Sequence, residues 1–268
     1  MSPQLPTDPA RLPQLSFSEK VSRWLTVYRS LFFVRWANIR NEWYFHVILG
    51  PVFPLGMLLF LRMLGAADDP ARALYVTAGN AILMLVLGPM QSIANDLAWG
   101  KQRHDLEHLA TLPFTKLQLV LAWVSVNTVF IIPAMLMTMY VGGLFMGFPV
   151  AISWVAVPVM VLAGFSMCGL GVFIGVYARN GHHANIMNTL TTGVVMFLSP
   201  ILVPFENLPS LLRFTSGFLP TSYAADAFRF AMGGEAMRTV SLNLGILALF
   251  AVGLLYLATR RLDWRVER

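Results

Sequence analysis

The sequence predicts an all-α membrane protein with six transmembrane helices, on two observations. Of its 268 residues, 57% are hydrophobic and only 12% are charged, whereas a soluble domain carries about 25% charged residues. A chain with so few charges cannot clothe an ordinary water-facing surface, and lipid is the natural alternative cover. The apolar residues also fall in blocks of about 20, the length that crosses a bilayer. These blocks use nearly the whole chain, so one membrane domain, 44–268, is expected.

The net charge of +6 would point to nucleic acid in a soluble protein. Here the basic residues flank apolar blocks, which reads as topology and contact with anionic headgroups. Membrane lipids are therefore expected partners and nucleic acid is not. The lone cysteine, Cys168, sits inside an apolar block and reads as a small packing residue without a disulfide or metal-ligand spacing.

Residues 1–17 form a polar stretch with prolines at 3, 6, 9 and 13 and no apolar core of a signal peptide. A disordered tail is expected there. Residues 18–43 alternate basic and aromatic residues, with Trp24, Tyr28, Leu31 and Arg35 at helical spacing. Basic residues interrupt every stretch long enough to span, so the segment predicts an amphipathic helix in the membrane interface, capped by Ser16 or Ser18.

The first span is expected at 44–64, kinked by Gly50, Pro51 and Pro54. The second, 72–97, places Thr77, Asn80, Met84, Leu87 and Gln91 on one face. Polar groups facing lipid are costly, so that face should meet protein or water. After a polar interruption come a third span at 117–146 and a fourth at 150–178. In the fourth, Gly164, Cys168, Gly171 and Gly175 recur every three or four residues, a spacing that lets helices approach closely. The fifth, 184–203, carries Asn188, Thr192 and Met196 on one face. The stretch 204–239 is broken by Pro204, Pro209 and Pro220 and reads as interfacial or re-entrant. The sixth span is expected at 240–259.

Of the nineteen Lys and Arg residues, all but Arg62, Arg72, Arg213, Arg229 and Arg238 fall on the side of the termini. The basic side is the cytoplasmic one. Both termini are thus expected in the cytoplasm of a plasma or inner membrane, with 204–239 outside.

Several chemistries lack their residues. A phosphate-binding loop needs G-x-x-x-x-G-K-[ST], but the one Gly-Lys pair, Gly100–Lys101, is followed by Gln102. An intramembrane protease needs a nucleophile beside a base. Ser166 is the candidate nucleophile, but His46, His104, His108, His182 and His183 all fall at span ends or in loops. Helix packing by small residues is the plainer reading of Ser166. His182–His183 has no second ligand cluster, so no metal site is expected. Mid-span ionisable groups, the mark of ion coupling, are also missing, because Asp96 and Arg72 lie at span edges. An outside energy source is implied.

Three ordered segments resemble the permease subunits of type-2 ATP-binding cassette exporters, a family that includes bacterial drug and polysaccharide exporters and the G-subfamily half-transporters. The first is the basic amphipathic helix ahead of span one, similar to the family's connecting helix. The second is 101–123, where Arg103, Asp105, Leu106, Glu107, Leu109, the Leu112–Pro113 pair and Lys116 resemble the coupling helix that touches the ATPase subunit. Its charged run reads KQRHD and departs from the commoner Glu-Arg-Glu-Arg type. The third is 199–229, where Pro200, Pro204, Leu208–Pro209, Pro220, Tyr223, Asp226 and Arg229 resemble the external segment before the last span.

The resemblance implies a permease that dimerises, binds no cofactor and works with two copies of a separately encoded ATPase subunit carrying ATP and Mg. A pathway lined by Thr77, Asn80, Met84, Asn188, Thr192 and Met196 would suit a lipophilic drug or a lipid; a lipid-linked polysaccharide is the alternative. An intramembrane enzyme and a non-transport scaffold are the competing classes.

Overall fold

The computed structural model describes residues 16–198, 210–234 and 238–261, and these are helical without strands. In order they form α1 (Phe17–Ile39), a 3-10 turn (Arg40–Glu42), a π-helical turn (Phe45–Leu49), α2 (Val52–Met63), α3 (Pro70–Leu85), a second π-helical turn (Val86–Met90), α4 (Gln91–Gln102) and α5 (Asp105–Ala110). There follow α6 (Lys116–Met146), α7 (Ala156–Tyr177), α8 (Gly181–Leu198), α9 (Ser210–Ser216), α10 (Pro220–Ala231) and α11 (Val240–Arg261).

Among the described residues, five helical runs are long and apolar enough to cross a membrane: His46–Met63, Pro70–Gln102, Lys116–Met146, Ala156–Tyr177 and Val240–Arg261. They coincide with the first four expected spans and the sixth. Over its 18 described residues α8 carries His182, His183, Asn185 and Asn188, and the rest of the expected fifth span lies outside the described residues. So do the tail, Pro200, Pro204, Leu208 and Pro209.

Local chemistry sets the ends. The Glu19 carboxylate accepts from the Ser16 N–H at 2.7 Å, closing a capping box that starts α1. Asp69 accepts from the Ala71 N–H at 3.0 Å with Pro70 behind it, which starts α3. Thr115 and Gln118 form a reciprocal cap on α6, which stops at Gly147 with φ 76°. The first span breaks at Gly50–Pro51, as the sequence leads one to expect. A Cβ on Gly50 would lie 2.4 Å from the His46 carbonyl oxygen, so that turn admits only glycine. The second span is one continuous run, loosened into a π-helical turn at Pro89. Proline has no N–H for the helical ladder, and a wider turn absorbs the loss.

The centre of the bundle is α7, which packs on α4, α6, α10 and α11. Its small residues do what their spacing predicts. A Cβ on Gly171 would sit 2.3 Å from the Met90 carbonyl oxygen, and one on Gly175 2.8 Å from Leu97. Backbone therefore meets backbone along the second span. Cys168 is buried beside Thr128, 3.8 Å away. The fourth span begins at Ala156, inside the expected 150–178, because the Ser153 N–H reaches out to the Ala231 carbonyl at the end of α10.

Two segments outside the long apolar helices pack against them. The aromatic face of α1 packs on α6. Trp36 lies 4.5 Å from Phe130 between ring centroids, the Tyr28 hydroxyl donates to Ser125 at 2.8 Å, and Gln118 donates to the Trp24 carbonyl at 3.0 Å. The 31 residues of α6 extend about 46 Å at 1.5 Å per residue, against roughly 30 Å of hydrocarbon. The overhang gives α1 a protein surface. The other segment is α10, which is embedded between α3, α7 and α11, with Phe228 fully buried. Buried Asp226 accepts from Asn243 Nδ2 at 2.8 Å and from the Arg238 N–H at 3.0 Å. The Arg229 guanidinium lies 3.4 Å over the Tyr75 ring, and the Tyr223 hydroxyl donates to the Gly217 carbonyl at 2.8 Å. Because Tyr75 opens the second span and α5 follows its last turn, α10 and α5 stand at opposite ends of the bundle.

Candidate functional site

A cavity of about 380 Å³ opens where the two π-helical turns face each other. Its walls are His46 and Gly50 from the first span, Met84, Leu87, Gly88, Gln91, Ser92 and Asn95 from the second, and Ile131 from α6. A π-helical turn widens the backbone and shifts the register of side chains, so such turns recur at functional sites. Beyond Pro89 the second span presents Gln91, Ser92 and Asn95 to this space, an uncharged wall rich in amide and hydroxyl groups.

Behind that wall stands α8. Gln91 Nε2 donates to Thr192 Oγ1 at 3.1 Å, and Asn188 Nδ2 donates to Asn95 Oδ1 at 3.2 Å. The four side chains form a two-rung polar ladder between α4 and α8, each helix supplying residues four apart. Asn188 is buried, and its Oδ1 has no hydrogen-bond partner. A polar atom left so is costly in an apolar bundle, and this one sits beside the cavity wall.

The other residues expected on the pathway are divided. Met84 lines the cavity, and its sulfur accepts from Thr138 Oγ1 at 2.8 Å. Met196 is half-buried on α8. Thr77 and Asn80 are fully buried inside the protomer and donate to their own helix, to the Ala73 carbonyl at 2.8 Å and the Val76 carbonyl at 2.9 Å. They do not line the cavity, which begins at Met84, about one turn past Asn80 and two past Thr77.

At the far end of α4 the chain turns through His104, with φ 61°, into the six-residue α5. Arg103 Nε pairs with Asp105 at 3.0 Å and His104 with Glu107 at 3.3 Å, all four exposed. Leu109 packs against the cluster of Ile93, Leu97, Val120 and Val124, whereas Leu112 is 51% exposed. Leu106, Leu109 and Leu112 were expected along one side of a helix. The helix instead ends at Ala110, because Pro113 bars its preceding residue from helical geometry. Leu112 therefore lies beyond the helix and stays exposed; the Leu106 side chain lies outside what the structure describes. Above α5, Lys101 Nζ donates to the carbonyls of Gly175, Val176 and Ala178 and so ties the end of α4 to the end of α7.

Residues 23–232, from within α1 past the end of α10, match the ABC-2 type transporter family. The chain belongs to that family. An ABC-2 domain is a multi-pass membrane domain, and the five long apolar helices among the described residues agree with that. Among curated proteins it is similar to Nodulation protein J of Rhizobium leguminosarum bv. viciae, with 27% identity over 113 residues, 42% of this chain and 44% of that one. The biovar trifolii protein of the same name is 29% identical over 113 residues, 42% of this chain and 43% of its own. That of Rhizobium meliloti is 28% identical over 111 residues, 41% and 42%. The matched stretch thus spans less than half the length of these relatives.

In this ABC-2 permease the sequence reading placed Gln91, Asn188 and Thr192 on polar faces but missed His46, Ser92 and Asn95. A signal was present. Gln91 and Asn95 are four apart on one span, as are Asn188 and Thr192 on another, and two such pairs match rung for rung. The pairing of those two spans was not written in either one.

Proposed function

We propose that this ABC-2 chain is the membrane subunit of an ATP-driven exporter. It pairs with a second copy of itself and with two separately encoded cytoplasmic ATPase subunits, in a plasma or inner membrane with both termini in the cytoplasm. The observation that carries the reading is the continuity of α4. One helix carries the cavity wall at its start and leads at its end into α5, with its mixed charges, and to the exposed Leu112 just beyond it. A short helix with an apolar centre and polar rim suits a reversible protein contact. ATP-driven closure of the ATPase pair would push α5, and α4 would pass that motion to the cavity. ATP binding drives such a change only through contacts that differ between the two states.

The cargo suited to a cavity with Met84, Leu87 and Ile131 on one wall and amides on another is an amphipathic molecule, a lipophilic drug or a lipid. A lipid-linked polysaccharide is the second reading, since the amide and hydroxyl wall also suits hydroxyl-rich groups. Reconstitution of the permease with its ATPase in proteoliposomes tests this. Lipophilic compounds or lipids should stimulate ATP turnover severalfold, and stimulation by lipid-linked glycans alone would select the second reading. Turnover indifferent to both, without ATP-dependent movement of either cargo, would remove the exporter assignment.

A further inference from the structure

Arg35 of α1 and Asp96 of α4 form an ion pair that joins the helix outside the bundle to the helix that walls the cavity. The pair is lopsided. The Arg35 side chain is 14% exposed and that of Asp96 37%, so the cation is held deeper than its counter-ion. One terminal nitrogen of Arg35 meets the carboxylate, and the guanidinium carbon lies 4.9 Å from the centroid of the Trp123 ring on α6. Its Nε is buried and has no hydrogen-bond partner. A carboxylate that took Nε and a terminal nitrogen together would make the stronger, two-pronged arrangement. What prevents this is the seating of α1, pinned to α6 through Tyr28–Ser125 and Trp24–Gln118. The pair therefore has a better-bonded geometry than the one it occupies, and a shift of α4 relative to α1 and α6 would bring it within reach.

Asp96 is the neighbour of Asn95, which lines the cavity and accepts from Asn188. Successive helical residues stand about 100° apart, so one turn of α4 faces α1 with Asp96 and α8 with Asn95. A rotation of α4 that improved the ion pair would move the ladder and the cavity wall with it. We propose that Arg35 and Asp96 are positioning residues. Their ion pair sets the rotation of α4, and with it the presentation of Gln91 and Asn95, and it re-forms in a different geometry when α4 moves. This rests on reading the cavity as the transport pathway.

The test uses the full chain with Ser92→Cys as reporter, since Ser92 lines the cavity while native Cys168 is fully buried. The rate of reaction with a charged maleimide is measured in the purified permease for Arg35→Gln, Asp96→Asn and the double variant, with the thermal midpoint of each. Each single change should shift the labelling rate about fivefold, the factor that roughly 1 kcal/mol represents. The double variant should shift it by the same factor as the singles, because both act through one contact. Rates unchanged while midpoints fall would overturn the proposal, leaving the pair a structural tie. So would effects that multiply in the double variant. If Asp96→Asn does not fold with its buried cation unpaired, Arg35→Gln and the double variant decide, since the Asp96 they leave alone or remove is open to water. Coupled labelling without ATP-driven transport would leave the latch standing and remove the exporter reading; transport with unchanged labelling would remove the latch alone.

Discussion

Asn95→Leu separates a pathway from a packing seam. The change removes the acceptor of Asn188 Nδ2, 3.2 Å away, and leaves the buried Asn188 amide with neither of its polar atoms bonded across the helix pair, its Oδ1 having no partner already. A buried donor stripped of its partner costs about 1–3 kcal/mol. In a membrane bundle the figure is smaller, since cross-helix pairs average about 0.6 and reach about 1.7 kcal/mol. Asn95→Leu should thus lower stability by about 1–2 kcal/mol on those figures. The reverse change is cheaper. Asn188→Leu leaves Asn95 facing the cavity, where water can take its place, and it also removes the orphaned Oδ1, so a shift within about 0.5 kcal/mol is expected. The double variant should return close to wild type, because replacing both partners with apolar groups is nearly neutral.

Thermal unfolding of the purified permease measures the three stabilities. The resulting non-additivity of about 1 kcal/mol or more stands clear of the 0.3–0.5 kcal/mol scatter of independent sites. Function is read separately, as cargo-stimulated turnover of the reconstituted complex. If Asn95 presents itself to cargo, the double variant regains stability and stays defective in stimulation. Additive stabilities would refute the ladder, and a double variant with full stimulation would refute the pathway.

Leu112→Asp places a charge at a leucine the chain leaves exposed, so insertion and stability should hold while ATPase association, measured by co-purification, falls at least tenfold; normal association would exclude this turn as the docking point. Leu109→Asp, by contrast, buries a charge against Ile93 and Val120 and should lower the yield of folded permease. Gly171→Ala forces a methyl to within 2.3 Å of the Met90 carbonyl and should cost about 1–3 kcal/mol, the range for overpacking. Gly253→Ala meets nothing within 4 Å and should leave the thermal midpoint unchanged or raised; equal effects of the two would refute close approach of α7 to the second span. Single cysteines at Asp68 and Arg213, both exposed, should react with an impermeant thiol reagent from outside, and one at Glu107 only from inside; labelling of all three from one side would sink the topology.

Single-helix properties were legible in the sequence, and properties shared between helices were not. The apolar blocks gave the spans because a bilayer imposes a length. Pro51 gave the break in the first because a missing N–H is local, and Gly171 and Gly175 marked a close approach because only small residues permit one. The partner of that approach was invisible, since nothing in α7 names Met90 or Ala94. The same limit explains Thr77 and Asn80. Spacing puts them on one face with Met84 and Gln91, but the π-helical turn at Val86–Met90 shifts the register between these residues, and a helix this long passes through different surroundings along its length. Its first turns lie against α6, where Gly142 would set a Cβ 3.0 Å from Thr77, and only its later turns reach the cavity. For α10, amphipathy and length left an interfacial and a re-entrant segment equally open, because the groups that satisfy Asp226 and Arg229 inside the bundle, Asn243 and Tyr75, are supplied by other helices.

Length explains why one helix holds the site together. The second span runs for 33 residues, about 50 Å at 1.5 Å per residue, and overruns a hydrocarbon core of roughly 30 Å. The overrun must be covered by protein or water. At the α5 end Lys101 binds the last carbonyls of α7, and about one turn earlier Asp96, next to Asn95, meets Arg35 of α1. Both tie α4 through charged groups, which hold best where water is partly excluded and can re-pair when geometry changes. Toward α8 the ties are neutral, Gln91 to Thr192 and Asn95 to Asn188. On the proposed coupling, a helix held toward α1 and α7 by charges that can re-pair, and toward α8 by neutral amides, would convert a push on α5 into a small rotation at Asn95.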